Sequence, residues 1–254
     1  SYVVSRIIYG SELGCGSMNS PADMAVTSGG YIYILDSGNN RILKLNSNLE
    51  LITEIKDFRD TAGEKYAFVK MSGLHVDHKG EIYITDSEAG ILAVTDESAI
   101  ISKVYGRPQT DLISENIIYK PDKVMTDSKQ NIYIIAAGMY QGAIMLDKDG
   151  AFLGFFGASP VELTAALRLD YMLKRVFNKE QRGTLASYVP TEYRNFCLDP
   201  EGFVYTVTGI SETDRNLIRK FNAKSIDILE SSDPYYGDHK TVRYLSENIK
   251  TSFV

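Results

Sequence analysis

The sequence predicts an all-β chain: a β-propeller with four recognisable four-stranded blades and one helical insertion. Three observations carry this expectation. One segment recurs four times, with marker tyrosines at 33, 83, 133 and 205 spaced by 50, 50 and 72 residues, and a period in this range means stacked supersecondary units. The strand after the turn in each copy is apolar on both faces, as with Ile32 and Ile34 on one side and Tyr31, Tyr33 and Leu35 on the other. Such a strand needs cover on both sides, which stacked sheets provide. Each unit also contains four strand-length runs, the blade count of a propeller.

The copies run from Asp23 to Ser37, Gly73 to Ser87, Lys123 to Ile135 and Asn195 to Val207, and each reads strand, turn, strand. Asp77 and Asp199 open their turns and Gly80 and Gly202 close them, the residue preference of a type I turn. Third strands are expected at Arg41 to Leu45, Gly90 to Val94, Ala143 to Leu146 and Leu217 to Phe221. Fourth strands are expected at Glu50 to Ile55, Ile100 to Tyr105, Phe152 to Phe156 and Ser225 to Leu229.

The last spacing exceeds the others by 22 residues, and the surplus has a helical pattern. Ser159, Pro160 and Glu162 form a capping box with proline in the first turn. Leu169, Met172, Leu173, Val176 and Phe177 make one apolar stripe, and Gly183 supplies a left-handed stop. A helix is therefore expected over about 160–182. Its polar side holds Arg168, Arg175 and Lys179. These either dock an acidic partner or an anionic membrane face, or stay solvated while the stripe packs on the blades.

Pro21 and Asp23, then Gly30, Asp36, Asn40 and Arg41 with the run to Leu45, resemble the NHL repeat of six-bladed propellers. The other copies depart from it. Asp36 recurs as Asp86 but becomes Ala136 and Thr208, and Gly90 stands for Arg41. The resemblance implies one propeller region over 1–254, with a helical insertion at about 158–183. Propellers of this kind include scaffolds for protein or RNA partners, some lyases and the related metal-dependent lactonases of the regucalcin and gluconolactonase type, so the resemblance implies a fold without choosing a chemistry. Two internal echoes predict that the blades are part of a larger ring. Ser5 to Gly10 is similar to Ser102 to Gly106, an outermost strand, and Leu245 to Val254 aligns with Ile113 to Asp122, which leads into an inner strand. The expectation is an open four-blade arc, or a ring completed by another chain, with self-association through the open edges.

The 254 residues carry a formal charge of −6, which offers no basic field for a phosphate backbone, so nucleic acid is not an expected partner. No apolar run approaches the roughly 18 residues of a spanning helix. Cys15 and Cys197 are far apart in no metal-type spacing, so no zinc module is indicated; nothing beyond their number supports a bridge between them. No nucleophile elbow, Walker loop or zinc-protease motif is present.

A propeller site is assembled from single residues of successive inner strands around a central channel. One aligned set is Asp23, Gly73, Lys123 and Asn195, and another is Ala25, His75, Met125 and Cys197. Asp and Asn are hard oxygen donors suited to Ca²⁺ or Mg²⁺, but Lys123 would repel a cation, and both residues also bond backbone amides at strand starts. No cofactor is expected. His75 reads as a packed histidine, His78 as solvated and Cys197 as a buried small residue. Tyr140, Tyr188, Tyr193, Tyr235 and Tyr236 fall in expected loops, where amphipathic aromatics either mark recognition surfaces or cover blade edges.

The function expected is a non-catalytic scaffold for a protein or glycan. Its candidate ligand-binding residues are Asp23, His75, Lys123 and Asn195 at the channel and Arg168, Arg175 and Lys179 on the helix. The alternative is a metal-dependent lactone or glycan hydrolase, or a lyase, with its site at the channel. The richness in Tyr, Ser and Asn suggests an extracellular or cell-surface location.

Overall fold

The computed structural model describes residues 6–139, 142–157, 193–199, 201–208, 218–222, 224 and 226–229. The expected helix with Arg168, Arg175 and Lys179, the loop tyrosines 140, 188, 235 and 236, and residues 245–254 lie outside these residues.

The chain builds successive antiparallel sheets in a propeller arrangement. The first holds β1 (Pro21–Val26), β2 (Ile32–Asp36), β3 (Arg41–Leu45) and β4 (Leu51–Ile55), in that order. The outgoing loop carries a short β5 (Arg59–Asp60). The second sheet runs from β6 (Met71–Val76) through β7 (Ile82–Asp86) and β8 (Ile91–Thr95) to β10 (Lys103–Tyr105). The third holds β11 (Lys120–Thr126), β12 (Ile132–Ala137), β13 (Ala143–Leu146) and β14 (Phe152–Phe156). The fourth holds β15 (Tyr193–Leu198), β16 (Val204–Thr208) and β17 (Ile218–Phe221). No helix among the described residues is long and apolar enough to cross a membrane.

The hairpins form because the turn residues supply their own hydrogen bonds. Asp77 Oδ1 accepts from the amides of Lys79 (2.8 Å) and Glu81 (2.9 Å), and Asp199 Oδ1 from Glu201 (3.0 Å) and Phe203 (2.8 Å). A short side-chain acceptor thus replaces a ladder partner where the chain reverses. Gly80 and Gly202 close these turns at φ 85° and 87°, where a Cβ would be strained. Gln130 closes the third turn at φ 64° without glycine.

Three expectations need correction. Residues 6–9 form no strand; Tyr9 and Glu12 instead close a local turn through Glu12 N to Tyr9 O (2.9 Å) and Tyr9 N to Glu12 Oε1 (3.0 Å). The run Ile100 to Tyr105 is divided, because β9 (Ile100–Ile101) pairs in parallel with β5 while β10 pairs with β8. In the fourth sheet, the expected strand Ser225 to Leu229 is reduced to a bridge from Phe221 to Asp227, extended by Ile228 N to Lys220 O (2.8 Å).

The sheets stack through three equivalent apolar junctions. Tyr33, Leu35, Ile42 and Ile55 of the first sheet pack with Leu74, Val76, Ile82, Ile84 and Ala93 of the second. Tyr83, Leu92 and Val94 then pack with Val124, Ile132, Ile134 and Ile144 of the third. Met125, Tyr133, Ile135 and Ala143 pack with Phe196, Val204 and Phe221 of the fourth. Full burial of each such side chain is worth about 1.5–3 kcal/mol, so the junctions dominate the stability. β7 is buried along its whole length, whereas β2 alternates half-buried and buried residues and β16 alternates similarly. Among the described residues, two-sided cover is complete for β7 and partial for β2 and β16.

Candidate functional site

The inner strands β1, β6, β11 and β15 lie side by side, and each carries a β-bulge at the same place: Pro21/Asp23, Met71/Gly73, Pro121/Lys123 and Tyr193/Asn195. A bulge re-aims the side chain that follows it. Asp23, Lys123 and Asn195 are thereby turned onto one surface, the wall of a cleft of about 980 Å³ that all four sheets line.

On that wall Asp23 and Lys123 make an ion pair of 3.1 Å across the second sheet. Asp23 Oδ1 also accepts from Met24 N (3.0 Å) and Oδ2 from Leu74 N (3.0 Å), and Lys123 Nζ reaches Ala22 O at 3.3 Å. This span exists because the intervening residue is glycine. A Cβ on Gly73 would lie 2.3 Å from Asp122 O and 3.0 Å from Lys123 Cα. Asn195 Oδ1 accepts from Phe196 N (2.9 Å), as Asp23 Oδ1 does from its own neighbour. The structure brings Asp23 and Lys123 into contact and places Asn195 on the same cleft wall, and Asp23 and Asn195 bond backbone amides at strand starts. The bulges of the third sheet are held from behind by Ser72 Oγ to Pro121 O (3.0 Å) and Thr85 Oγ1 to Asp122 O (3.0 Å).

One layer deeper, His75 is half-buried, its Nε2 3.0 Å from Thr126 Oγ1, with the Tyr83 ring centroid at 6.2 Å. Burial pushes its pKa down to about 4, against the pull of Asp77 and Asp23 toward the charged form. It is neutral at pH 7. Unfolding frees the imidazole to take up a proton, so this contribution to stability is complete above about pH 6.5 and is lost as pH falls toward 4. Between pH 7.5 and 5, urea denaturation should show a loss on the order of 2 kcal/mol that His75→Gln abolishes; equal losses in both proteins would contradict it. Cys197, aligned with His75, corrects the sequence reading: it is exposed, since it lies on the outward face of the fourth sheet, and neither cysteine is bridged. Tyr193 also departs from expectation. It sits in β15, buried, and its hydroxyl donates to Gly157 O.

The cleft includes residues that the sequence did not single out. Lys44 Nζ bonds Glu97 Oε1 (2.6 Å), to which Tyr33 Oη also donates (2.9 Å), and the ammonium lies 4.3 Å from the Tyr31 ring centroid. The bond from Lys44, opposed by burial, holds the Glu97 carboxyl below its usual range. Tyr31 remains 41% exposed and lines the cleft. Gln130 Nε2 ties the third sheet to Glu81 Oε2 (3.1 Å). A signal for Lys44 was present in the repeat, because Lys44 and Lys220 both stand opposite a marker tyrosine, at Tyr33 and Tyr205. Among the described residues no three His, Cys, Asp or Glu side chains converge to hold a metal ion.

Residues 18–45 match the family model of the NHL repeat. The match covers the first three strands of the first sheet and stops before β4. The matched Asp36 and Arg41 do structural work within that repeat, pairing at 2.7 Å away from the cleft, with side chains 0% and 9% exposed. No curated protein matches the chain. Among solved structures, hydrazine synthase of Kuenenia stuttgartiensis is similar over 90% of this chain and 51% of that one, at 10% identity and a TM-score of 0.50. A protein of unknown function from Bacteroides thetaiotaomicron is similar over 81% of this chain and 46% of that one, at 14% identity and 0.50. A catalytically inactive virginiamycin B lyase from Staphylococcus aureus with quinupristin covers 82% and 54%, at 10% identity and 0.49. The chain spans about half the length of each of these structures, and at such identities the likeness concerns the fold alone.

Proposed function

We propose that the protein is a non-catalytic binding scaffold whose inter-blade cleft takes a polar, chain-like partner, a protein segment or a glycan. One observation carries the reading: the cleft groups Asp23, His75 and Glu97 are committed to bridges between sheets, and Asp77, Asp127 and Asp199 to the amides of their own turns. Asp23 is bound to Lys123 and to the Leu74 amide, His75 to Thr126, and Glu97 to Lys44 and Tyr33. A general base works best with a pKa near the operating pH, and His75 at about 4 is far from that. What the cleft offers instead is a wall of five carboxylates and three lysines with an exposed Tyr31 and the apolar Met24 and Val26. Rigid aromatic and paired polar groups suit recognition at low entropic cost.

Panning an oligosaccharide array and a displayed random-peptide library against the wild type and Tyr31→Ala tests the reading. A ligand selected in either arm should bind the variant about 10-fold or more weakly, equivalent to ~1.4 kcal/mol. Equal binding by both proteins, or selection in neither arm, would remove the cleft as the binding surface.

A further inference from the structure

Each inner strand pairs on one side with its own sheet and turns its other edge to the cleft. Thr27 N bonds Tyr31 O (2.9 Å) and Asp127 N bonds Asn131 O (3.1 Å) where the turns close. Ladder bonds recur at every second residue, so the equivalent residues Met24, Leu74, Val124 and Phe196 point their amides away from the ladder. In three sheets a side-chain oxygen caps that amide. Asp23 Oδ1 accepts from Met24 N (3.0 Å), Asp23 Oδ2 from Leu74 N (3.0 Å) and Asn195 Oδ1 from Phe196 N (2.9 Å). In the third sheet, no acceptor among the described residues takes Val124 N.

Two residues account for the missing cap. Lys123, which precedes Val124, is a donor, and its ammonium is drawn to Asp23 (3.1 Å) and Ala22 O (3.3 Å). Gly73, which stands in the second sheet where Asp23 stands in the first, has no side chain to reach across the junction as Asp23 does. Val124 lines the cleft and is only 5% exposed, and a buried amide is almost always paired.

We propose that Val124 N–H is a ligand contact, donating to an uncharged carbonyl oxygen of an extended peptide segment that lies along the edge of β11. The inference rests on the cleft being the binding surface and names what that surface recognises. An uncharged acceptor is required because five carboxylates against three lysines line the cleft, and the Lys123 ammonium is already matched by Asp23. Spacing selects a peptide over a sugar. Thr126, two residues on, turns its amide to the same edge, and among the described residues it too lacks an acceptor. An extended main chain presents carbonyls to one side at every second residue, the repeat by which a strand adds to a sheet edge. In the other inner strands the caps at Met24, Leu74 and Phe196 interrupt this row.

Two-dimensional NMR of the isotope-labelled chain tests it, with acetyl-trialanine amide as the probe and N-acetylglucosamine and sodium acetate as comparisons. In the free protein the Val124 amide should exchange with solvent about 10-fold faster than that of Leu74, which is equally buried but capped. The blocked peptide should shift the Val124 and Thr126 amides. Lys123→Asn supplies the oxygen that Asn195 supplies in the fourth sheet, so it should slow Val124 exchange to the level of Leu74. It should also bind the peptide about 5- to 10-fold more weakly than Lys123→Met, the size of one hydrogen bond. Both variants lose the ammonium and only one gains an acceptor, so their difference reads the amide alone. A Val124 amide that exchanges as slowly as Leu74 in the free wild type would overturn the proposal before any probe or variant is used, and so would equal affinities in the two variants. A Val124 shift with the sugar or acetate but not the peptide would overturn the peptide assignment. Shifts confined to other cleft residues, such as Tyr31, would overturn the inference and leave the scaffold reading standing, whereas no cleft shift with any probe would count against both.

Discussion

Asp36→Ala should destabilise the protein by about 3 kcal/mol, read as a lowered urea midpoint with unchanged slope. Asp36 is fully buried, and its carboxylate accepts from Arg41 Nε (2.7 Å), Asn39 Nδ2 (2.8 Å) and Asn19 N (2.7 Å). Removing it leaves a guanidinium 8% exposed without its principal partner, and breaking a buried pair from one side costs about 3–5 kcal/mol. The lower end applies because Arg41 keeps Glu54 Oε2 at 3.1 Å and the carbonyls of Cys15 (2.5 Å) and Ser17 (3.2 Å). Those carbonyls fasten residues 15–17 to the first sheet, so the variant should also lose hydrogen-exchange protection there. A loss below about 1 kcal/mol, the range of a surface pair, would show that the pairing is not what holds this end of the blade.

Gly73→Val should cost about 2–3 kcal/mol, near the upper range for overpacking. The new Cβ would sit 2.3 Å from Asp122 O and 2.7 Å from Thr85 Oγ1, and Asp122 O is backbone that cannot rotate away. The second and third sheets must separate, which also draws Lys123 from Asp23. Gly106→Val is the comparison, because nothing lies within 4 Å of a Cβ there, and it should stay within about 0.5 kcal/mol of wild type. Similar losses in both variants would mean that strand propensity rather than close approach sets the effect.

The fold was legible because a strand sealed on both sides cannot hide its pattern. Runs such as Ile82 to Asp86 are continuous where soluble sheets usually alternate, and the marker tyrosines fix the period. Single residues were legible where the repeat aligned them, as with Asp23, Lys123 and Asn195. What escaped has physical causes. Cys197 looked buried because its neighbours Phe196 and Leu198 are apolar, but a strand alternates, and Cys197 falls on the exposed side of β15. Residues 6–9 resemble an outer strand in sequence, yet an edge strand needs a ladder partner, and Tyr9 pairs locally with Glu12 instead. Glu97 lies in a turn of the second sheet and meets Lys44 of the first only after the sheets stack, a contact 53 positions apart with no local signature. The bulges, too, are matters of register that composition does not reveal.

The central claim is that the cleft holds a partner without transforming it. The direct measurement is to incubate the chain overnight with the peptide or oligosaccharide selected by panning, then record the ligand's mass and the protein's hydrogen exchange together. The account predicts a ligand recovered at its original mass, with new protection at residues 23–31 and 74–79 and around Lys123. A ligand recovered cleaved or with lost mass, or protection confined to residues outside the cleft, would contradict it.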